Sequence, residues 1–436
     1  MYRKITDYLN KWKTDKYRKP LIIQGARQVG KTYAVLEFGR NNYDNVAYFN
    51  FQTNEKLAES FSENISPSYL IPILSHICGR TISKESTLIV FDEIQLCERA
   101  LTSLKYFLEE APEYHVIAAG SLLGVAVNRE KHAFPVGKVD RYTMYPMDLE
   151  EFLIATGHKD LVERIRYCYE NDSPMPAALH GICMDLYRQY LAVGGMPEAV
   201  ARFIDTGDYV QIRHVLETIG MDYLDDMSKY QDSANEIKKT RLTYGTVAVQ
   251  LSKKNTRFQY KLIKKGGRAA EFEDAIEWLV AANLIHRIYR VEKIEKPLEN
   301  YRDIDDFKIF FSDTGLLCAQ KDISADDVMY MDTELSDFKG GLTENYVCIQ
   351  LAGSGFRTYF WRNDKGTKEV DFILKIGEKL IPVEVKSGEN VKSDSLNDYV
   401  RLYKPDWSIR ISEKNFGFEN GIKSIPLYAT FCITCK

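Results

Sequence analysis

No apolar stretch in the 436-residue sequence is long enough to cross a membrane. The longest uncharged one, Val116–Val127, falls well short of the ~20 residues that a bilayer helix needs. An excess of basic charge is lacking too. With 58 Lys and Arg against 62 Asp and Glu, no whole-chain field recommends nucleic acid, and any such site must be local. Internal repeats and low-complexity linkers are missing, and 45% hydrophobic with 28% charged residues excludes disorder, collagen and coiled coil as global descriptions. The eight cysteines are scattered. Cys432-Ile-Thr-Cys435 has no second pair at zinc spacing and reads as two ordinary thiols. The start, Met1-Tyr-Arg-Lys-Ile-Thr-Asp, is too polar for a signal peptide, so a reducing cytoplasm is the expected compartment. Single cores stop growing near ~250–300 residues, so a multidomain chain is expected.

What is present begins near the amino terminus. The apolar run Leu21-Ile-Ile23 leads into Gly25-Ala26-Arg27-Gln28-Val29-Gly30-Lys31-Thr32, and a helical pattern follows from Tyr33 to Phe38. Strand, glycine-rich loop and helix start make a phosphate cradle: backbone N–H groups curl around the anion and the helix N-terminus adds partial positive charge. Lys31 would reach the β- and γ-phosphates, and the Thr32 hydroxyl would ligate Mg2+. A second apolar strand, Thr87–Phe91, ends in Asp92-Glu93. Asp92 suits the magnesium shell, and Glu93 stands where a carboxylate polarises an attacking water. Strands Val46–Phe51 and Tyr114–Ala119 fit the same sheet, and Ser121 at the tip of the latter is a candidate γ-phosphate sensor. Strands alternating with helices predict a doubly wound parallel sheet. The sequence has no Asn/Thr-Lys-x-Asp guanine-reading motif, which favours ATP over GTP.

These motifs, with Gln95 after the acids, Gly120-Ser-Leu-Leu, Tyr145-Pro-Met-Asp-Leu-Glu-Glu-Phe152, Gly194-Gly-Met-Pro-Glu198 and Ser312-Asp-Thr-Gly-Leu-Leu317, resemble the prokaryotic AAA+ ATP-binding proteins of archaeal-ATPase style that carry an uncharacterised carboxy-terminal domain. The resemblance implies an Mg2+-dependent ATPase domain over 1–150 and a homo-oligomer, because such enzymes borrow an arginine from a neighbouring subunit. Arg129 and Arg141 are the candidates, with Lys138 a substitute where relatives tend to carry Gly-Arg-Val and this chain has Gly137-Lys138-Val139.

Apolar residues at helical spacing predict a helical connector over 151–232, broken by Gly194-Gly195 and Pro197, which read as structural. From 237 to 270 the chain holds ten basic residues, among them Lys253, Lys254, Arg257, Lys264 and Lys265, and no acid. Such a window suits the phosphate backbone of DNA through counterion release. An electrostatic interface with an acidic neighbouring domain is the other reading. The surrounding 233–318 segment reads as winged-helix-like. Its would-be recognition helix Ala269–Ala282 carries Glu271, Glu273, Asp274 and Glu277, which opposes base reading.

The 319–436 segment holds the second chemical signal. Gly341-Leu-Thr-Glu344 opens a helix, and strands follow at Thr358–Arg362, Glu369–Leu374 and Leu380–Lys386. The ordered series Glu344, Asp371 and Glu384-Val-Lys386 is similar to the PD-(D/E)xK nucleases, which implies a restriction-endonuclease-like α/β domain. Three acids hold a divalent ion, and Lys386 orients or deprotonates the attacking water. The two-residue period puts Glu384 and Lys386 on one strand face, and Glu369 shares the face of Asp371. Two functions are therefore expected as alternatives: an ATPase coupled to a metal-dependent nuclease, or a nucleotide-regulated switch that binds DNA or protein without cutting.

Overall fold

The computed structural model describes residues 1–121, 134–229, 231, 233–253, 257–330, 335–388 and 394–435, without the side chains of 55 and 336. They form two compact units: Met1–Tyr145 with Ala281–Asn283, and Pro146–Val280 with Leu284–Lys436.

The first unit is built on five parallel strands: β1 (Leu21–Gln24), β2 (Asn45–Asn50), β3 (Thr87–Asp92), β4 (His115–Gly120) and β5 (Asp140–Thr143). Their order is β2-β3-β4-β1-β5. β3 and β4 are buried along their whole length, as expected of strands covered on both faces. A phenyl cluster closes one face, Phe61 meeting Phe51 at 5.6 Å and Phe91 at 5.7 Å between ring centres. The expected doubly wound parallel sheet is thus present.

The second unit contains an eight-stranded mixed sheet ordered β12-β13-β11-β10-β9-β8-β6-β7. Its strands are β6 (Ile285–Val291), β7 (Arg302–Phe311), β8 (Tyr359–Arg362), β9 (Glu369–Ile376), β10 (Lys379–Val385), β11 (Ser408–Ser412), β12 (Gly417–Glu419) and β13 (Ile422–Pro426). Three segments, 151–232, 233–318 and 319–436, are expected here; they lie within this unit, and β6 pairs with β7 on one side and with β8 on the other, which joins the second segment to the third. The β6–β7 pair is thus joined through β6 to the larger sheet, with β7 at its edge.

Helices Leu149–Ala155, Lys159–Glu170, Ala177–Val193 and Tyr209–Lys229 stand where the periodicity predicts them. The glycine pair after Val193 is a close-approach point. A Cβ on Gly195 would stand 2.0 Å from the Met147 carbonyl oxygen. Met147 N–H donates to Gly195 O at 2.7 Å, and Gly195 N–H donates to the fully buried Asp313 at 2.6 Å. Burial pushes the Asp313 carboxyl up to about 6, against the pull of those backbone donors.

The helix bearing Glu344 starts at Ser336 rather than Gly341. Gly341 does not open it but lies inside, where a Cβ would stand 2.1 Å from the Leu251 carbonyl oxygen. The helix Ala234–Leu251 crosses at that point and brings the middle of the basic window to the carboxy-terminal acids.

Candidate functional site

In the first unit, the strand order sets the chemistry. β4 lies between β1 and β3, so the phosphate loop, Ser121 and the Asp92-Glu93 pair all follow neighbouring parallel strands. The loop ends at Gly30 (φ 90°), which starts the helix Lys31–Asn42. Thr32 Oγ1 donates to Asp92 Oδ2 at 3.0 Å, so the two residues expected to share Mg2+ already touch. Lys31 is 7% exposed and donates to the Gly25 and Ala26 carbonyl oxygens at 3.0 and 2.7 Å. Burial lowers its pKa to about 8, although Glu93 and Asp92 work the other way. Glu93 has left-handed backbone (φ 52°), a conformation that costs a non-glycine residue roughly 1–2 kcal/mol, and it receives a 2.5 Å hydrogen bond from Gln95 Nε2. Ser121 is buried at the tip of β4.

Sequence reasoning misses three participants. Tyr48 OH donates to Asp92 Oδ2 at 2.7 Å, and Asn50 Nδ2 donates to Tyr48 OH at 3.1 Å. Their signal is the alternation on β2, whose register pairs Asn50 with Asp92. Arg3 has no local signal. It donates to the carbonyl oxygens of Val29 and Tyr145, each at 2.7 Å, and so ties the phosphate loop to the end of the unit. Of the arginine-finger candidates, Arg129 lies outside the described residues. Arg141 stacks on Phe134 at 4.0 Å, and Lys138 pairs with Glu109 at 2.8 Å.

The second unit gathers its own charged pocket. The helix Ser336–Gly353 supplies Glu344, β9 supplies Glu369 and Asp371, and β10 supplies Glu384. The antiparallel register Val383↔Phe372 sets Asp371 one step on, beside Glu384. Carboxylate oxygens of Glu344, Glu369 and Asp371 all lie within 4.8 Å of one another. The three acids predicted as ligands were Glu344, Asp371 and Glu384; in the mutual cluster Glu369 takes the third place. Glu384 is 3% exposed and pairs with Lys386 at 2.6 Å. Asp371 Oδ2 accepts from Val385 N–H at 2.7 Å. Burial, with Glu384 and Glu344 adding to it, pushes Asp371 well above the ordinary carboxyl range. Burial, opposed by Lys308, also raises Glu344.

Lys308 on β7 is the participant that the sequence analysis passes over. Its ammonium sits 2.6 Å from Glu344 and 2.6 Å from Glu369. Burial alone would lower its pKa, but the two carboxylates hold it above its ordinary value. Arg362 grips Glu369 from the other side at 2.6 Å and Asp306 at 3.0 Å. Glu369 is thereby kept below its ordinary range despite its burial. A cavity of about 270 Å³ opens onto the pocket, lined by Leu251, Lys253, Gly341, Glu344, Asp371 and Lys386 among others. Beyond Glu369, a second cavity of about 710 Å³ is lined by Arg257, Arg290, Arg362 and Lys365.

Part of the basic window is engaged internally. Lys264 pairs with Glu271 at 2.8 Å, Arg241 donates to Leu224 O at 2.9 Å and Arg257 to Asp305 O at 3.0 Å. Glu277, expected to repel DNA, pairs with the buried Arg287 at 2.9 Å. Lys254 lies outside the described residues. The described cysteines are all free thiols, with Cys432 buried and Cys435 exposed.

The first unit is a P-loop ATP-binding domain of AAA type: residues 17–153 match the family model described as an AAA domain. Residues 184–327 and 339–430 match two further models, each described as a domain of unknown function (DUF8612 and DUF4143). Among solved structures, the chain is similar to a Walker-type ATPase of Pyrococcus abyssi at 14% identity, covering 73% of this chain and 95% of that one with a TM-score of 0.44. It is also similar to the ORC2 protein of Aeropyrum pernix, at 12% identity over 75% of this chain and 92% of the other, with a TM-score of 0.35. No curated protein matches the sequence. No helix among the described residues is long and apolar enough to cross a membrane.

Proposed function

We propose that the protein hydrolyses ATP and that residues 319–436 of its second unit form a metal-dependent, PD-(D/E)xK-type nuclease domain acting on DNA phosphodiesters. The observation that carries the nuclease reading is the succession of helix, β8, β9, β10, helix Asp394–Tyr403 and β11, with Glu344, Asp371 and Lys386 lining one cavity. The donors are carboxylate oxygens, hard ligands that fit Mg2+ or Mn2+. Glu344, Asp371 and Glu384 would hold the ion. When bound, it stabilises developing charge on the phosphoryl oxygens and acidifies water. Lys386 orients the attacking water, and Lys253 at the cavity mouth draws in the phosphate backbone. In the first unit, Thr32 and Asp92 would hold Mg2+, Lys31 the β- and γ-phosphates, and Glu93 polarises the lytic water while Ser121 reads the γ-phosphate. An arginine from a second copy of the chain would complete that site.

The other reading, a nucleotide-regulated switch that binds without cutting, is favoured by one observation: Glu344 is already neutralised by Lys308. Incubation of the full chain with Mg2+ or Mn2+ and branched, single-stranded or duplex DNA separates the two. The nuclease reading expects cleavage of at least one substrate and a loss of ~100-fold or more in Lys386→Ala. Binding without cleavage by wild type would leave the switch standing alone.

A further inference from the structure

Lys308 has the surroundings of a bound cation. It is 2% exposed, carboxylate oxygens of Glu344 and Glu369 stand 2.6 Å from its Nζ, and the Phe360 ring centre lies 5.0 Å away. The second Glu369 oxygen is taken by Arg362, itself balanced by Asp306. Among the described residues, and with all four acids ionised as metal binding requires, four carboxylates (Glu344, Glu369, Asp371, Glu384) then face two ammonium groups, Lys308 and Lys386. Two negative charges remain, the charge of one divalent ion. A second ion would leave an excess of positive charge in a buried site, where an uncompensated charge is costly. In two-metal sites the ions stand ~3.5–4 Å apart and share bridging carboxylates. Here the carboxylates on the β7 side are already joined by an ammonium that the chain cannot release.

We propose that Lys308 is a built-in cation standing in for a second divalent ion, so that the pocket takes one ion, beside Asp371 and Glu384. This inference rests on the metal reading above. It makes Lys308 a positioning residue that fixes Glu344 and Glu369, and it sets the ion count of the site.

The test uses the full chain without nucleotide, titrated with Mn2+ and read by calorimetry and electron paramagnetic resonance. Asp371→Asn defines which bound ions belong to this pocket. Wild type should hold one such ion, with the spectrum of an isolated Mn2+. Lys308→Met, which keeps the stem and removes the charge, should double the count to two and give a spin-coupled pair; Lys308→Arg should stay at one. A coupled pair in wild type, or a count still at one in a folded Lys308→Met, overturns the proposal and leaves the metal reading intact. If Lys308→Met does not fold, the wild-type spectrum still decides between one isolated ion and a pair. No ion lost in Asp371→Asn overturns the metal reading and this inference with it.

Discussion

Raising the pH tests the phosphate loop through Lys31. With its pKa lowered to about 8, the free protein begins to lose the Lys31 proton just above neutrality. A bound triphosphate supplies the negative charge that restores the proton, so the pKa in the complex lies higher than in the free loop. The sign follows: affinity is complete below about 8 and is lost as pH rises from there towards the pKa of the complex. Each pH unit within that window costs about 1.4 kcal/mol, roughly tenfold in the dissociation constant, so at about pH 9.5 binding is weaker by roughly 30-fold. Calorimetry with a non-hydrolysable ATP analogue between about pH 7.5 and 9.5 avoids the titration of the phosphate itself. Lys31→Arg is the control, since a guanidinium stays charged throughout and its profile should be flat. A flat wild-type profile, or an equal slope in Lys31→Arg, would falsify the claim that the buried lysine governs binding.

Three further outcomes are expected. Glu93→Gln should bind ATP like wild type yet turn it over ~100-fold more slowly or worse in a steady-state phosphate-release assay; unchanged turnover removes Glu93 from the role of base. Gly195→Ala forces a methyl onto the Met147 carbonyl and breaks the buried Met147–Gly195 hydrogen bond, so urea denaturation should show a loss of about 2–5 kcal/mol, and a loss below 1 kcal/mol contradicts the clamp. Replacing the exposed Lys253, Lys261, Lys265 and Arg268 by Ala should weaken duplex binding and flatten its salt dependence by about 0.9 in slope for each phosphate no longer neutralised; an unchanged slope assigns the window to a protein interface.

The legible parts of this molecule are those in which chemistry and local backbone coincide. Gly25–Thr32, Asp92-Glu93 and Glu384-Val-Lys386 each sit at a strand end, where a short apolar run announces the strand and the polar residues announce the chemistry. The spacing of Glu344, Asp371 and Glu384 leads one to expect their convergence; Glu344 and Asp371 line one cavity and Glu384 stands beside Asp371 in register, while Glu369 takes the third place in the mutual cluster. Three things escape local reading because they depend on sequence-distant partners. Lys308 lies in Phe307-Lys-Ile-Phe310, where a lone lysine in an apolar strand gives no hint of its two carboxylates. Arg3 reaches Tyr145 across the whole first unit. The 233–318 segment reads as winged-helix-like on its own, and only the pairing of β6 with β8 makes its strands part of the larger sheet.

The most direct test of the carboxy-terminal pocket is a crystal structure of the full chain grown with Mn2+, with anomalous scattering recorded to locate the ion. The account predicts a single peak bounded by oxygens of Glu344, Asp371 and Glu384, with Lys386 facing it and Lys308 still between Glu344 and Glu369. An empty pocket at saturating Mn2+, or a peak elsewhere with Glu344, Asp371 and Glu384 unliganded, would contradict it.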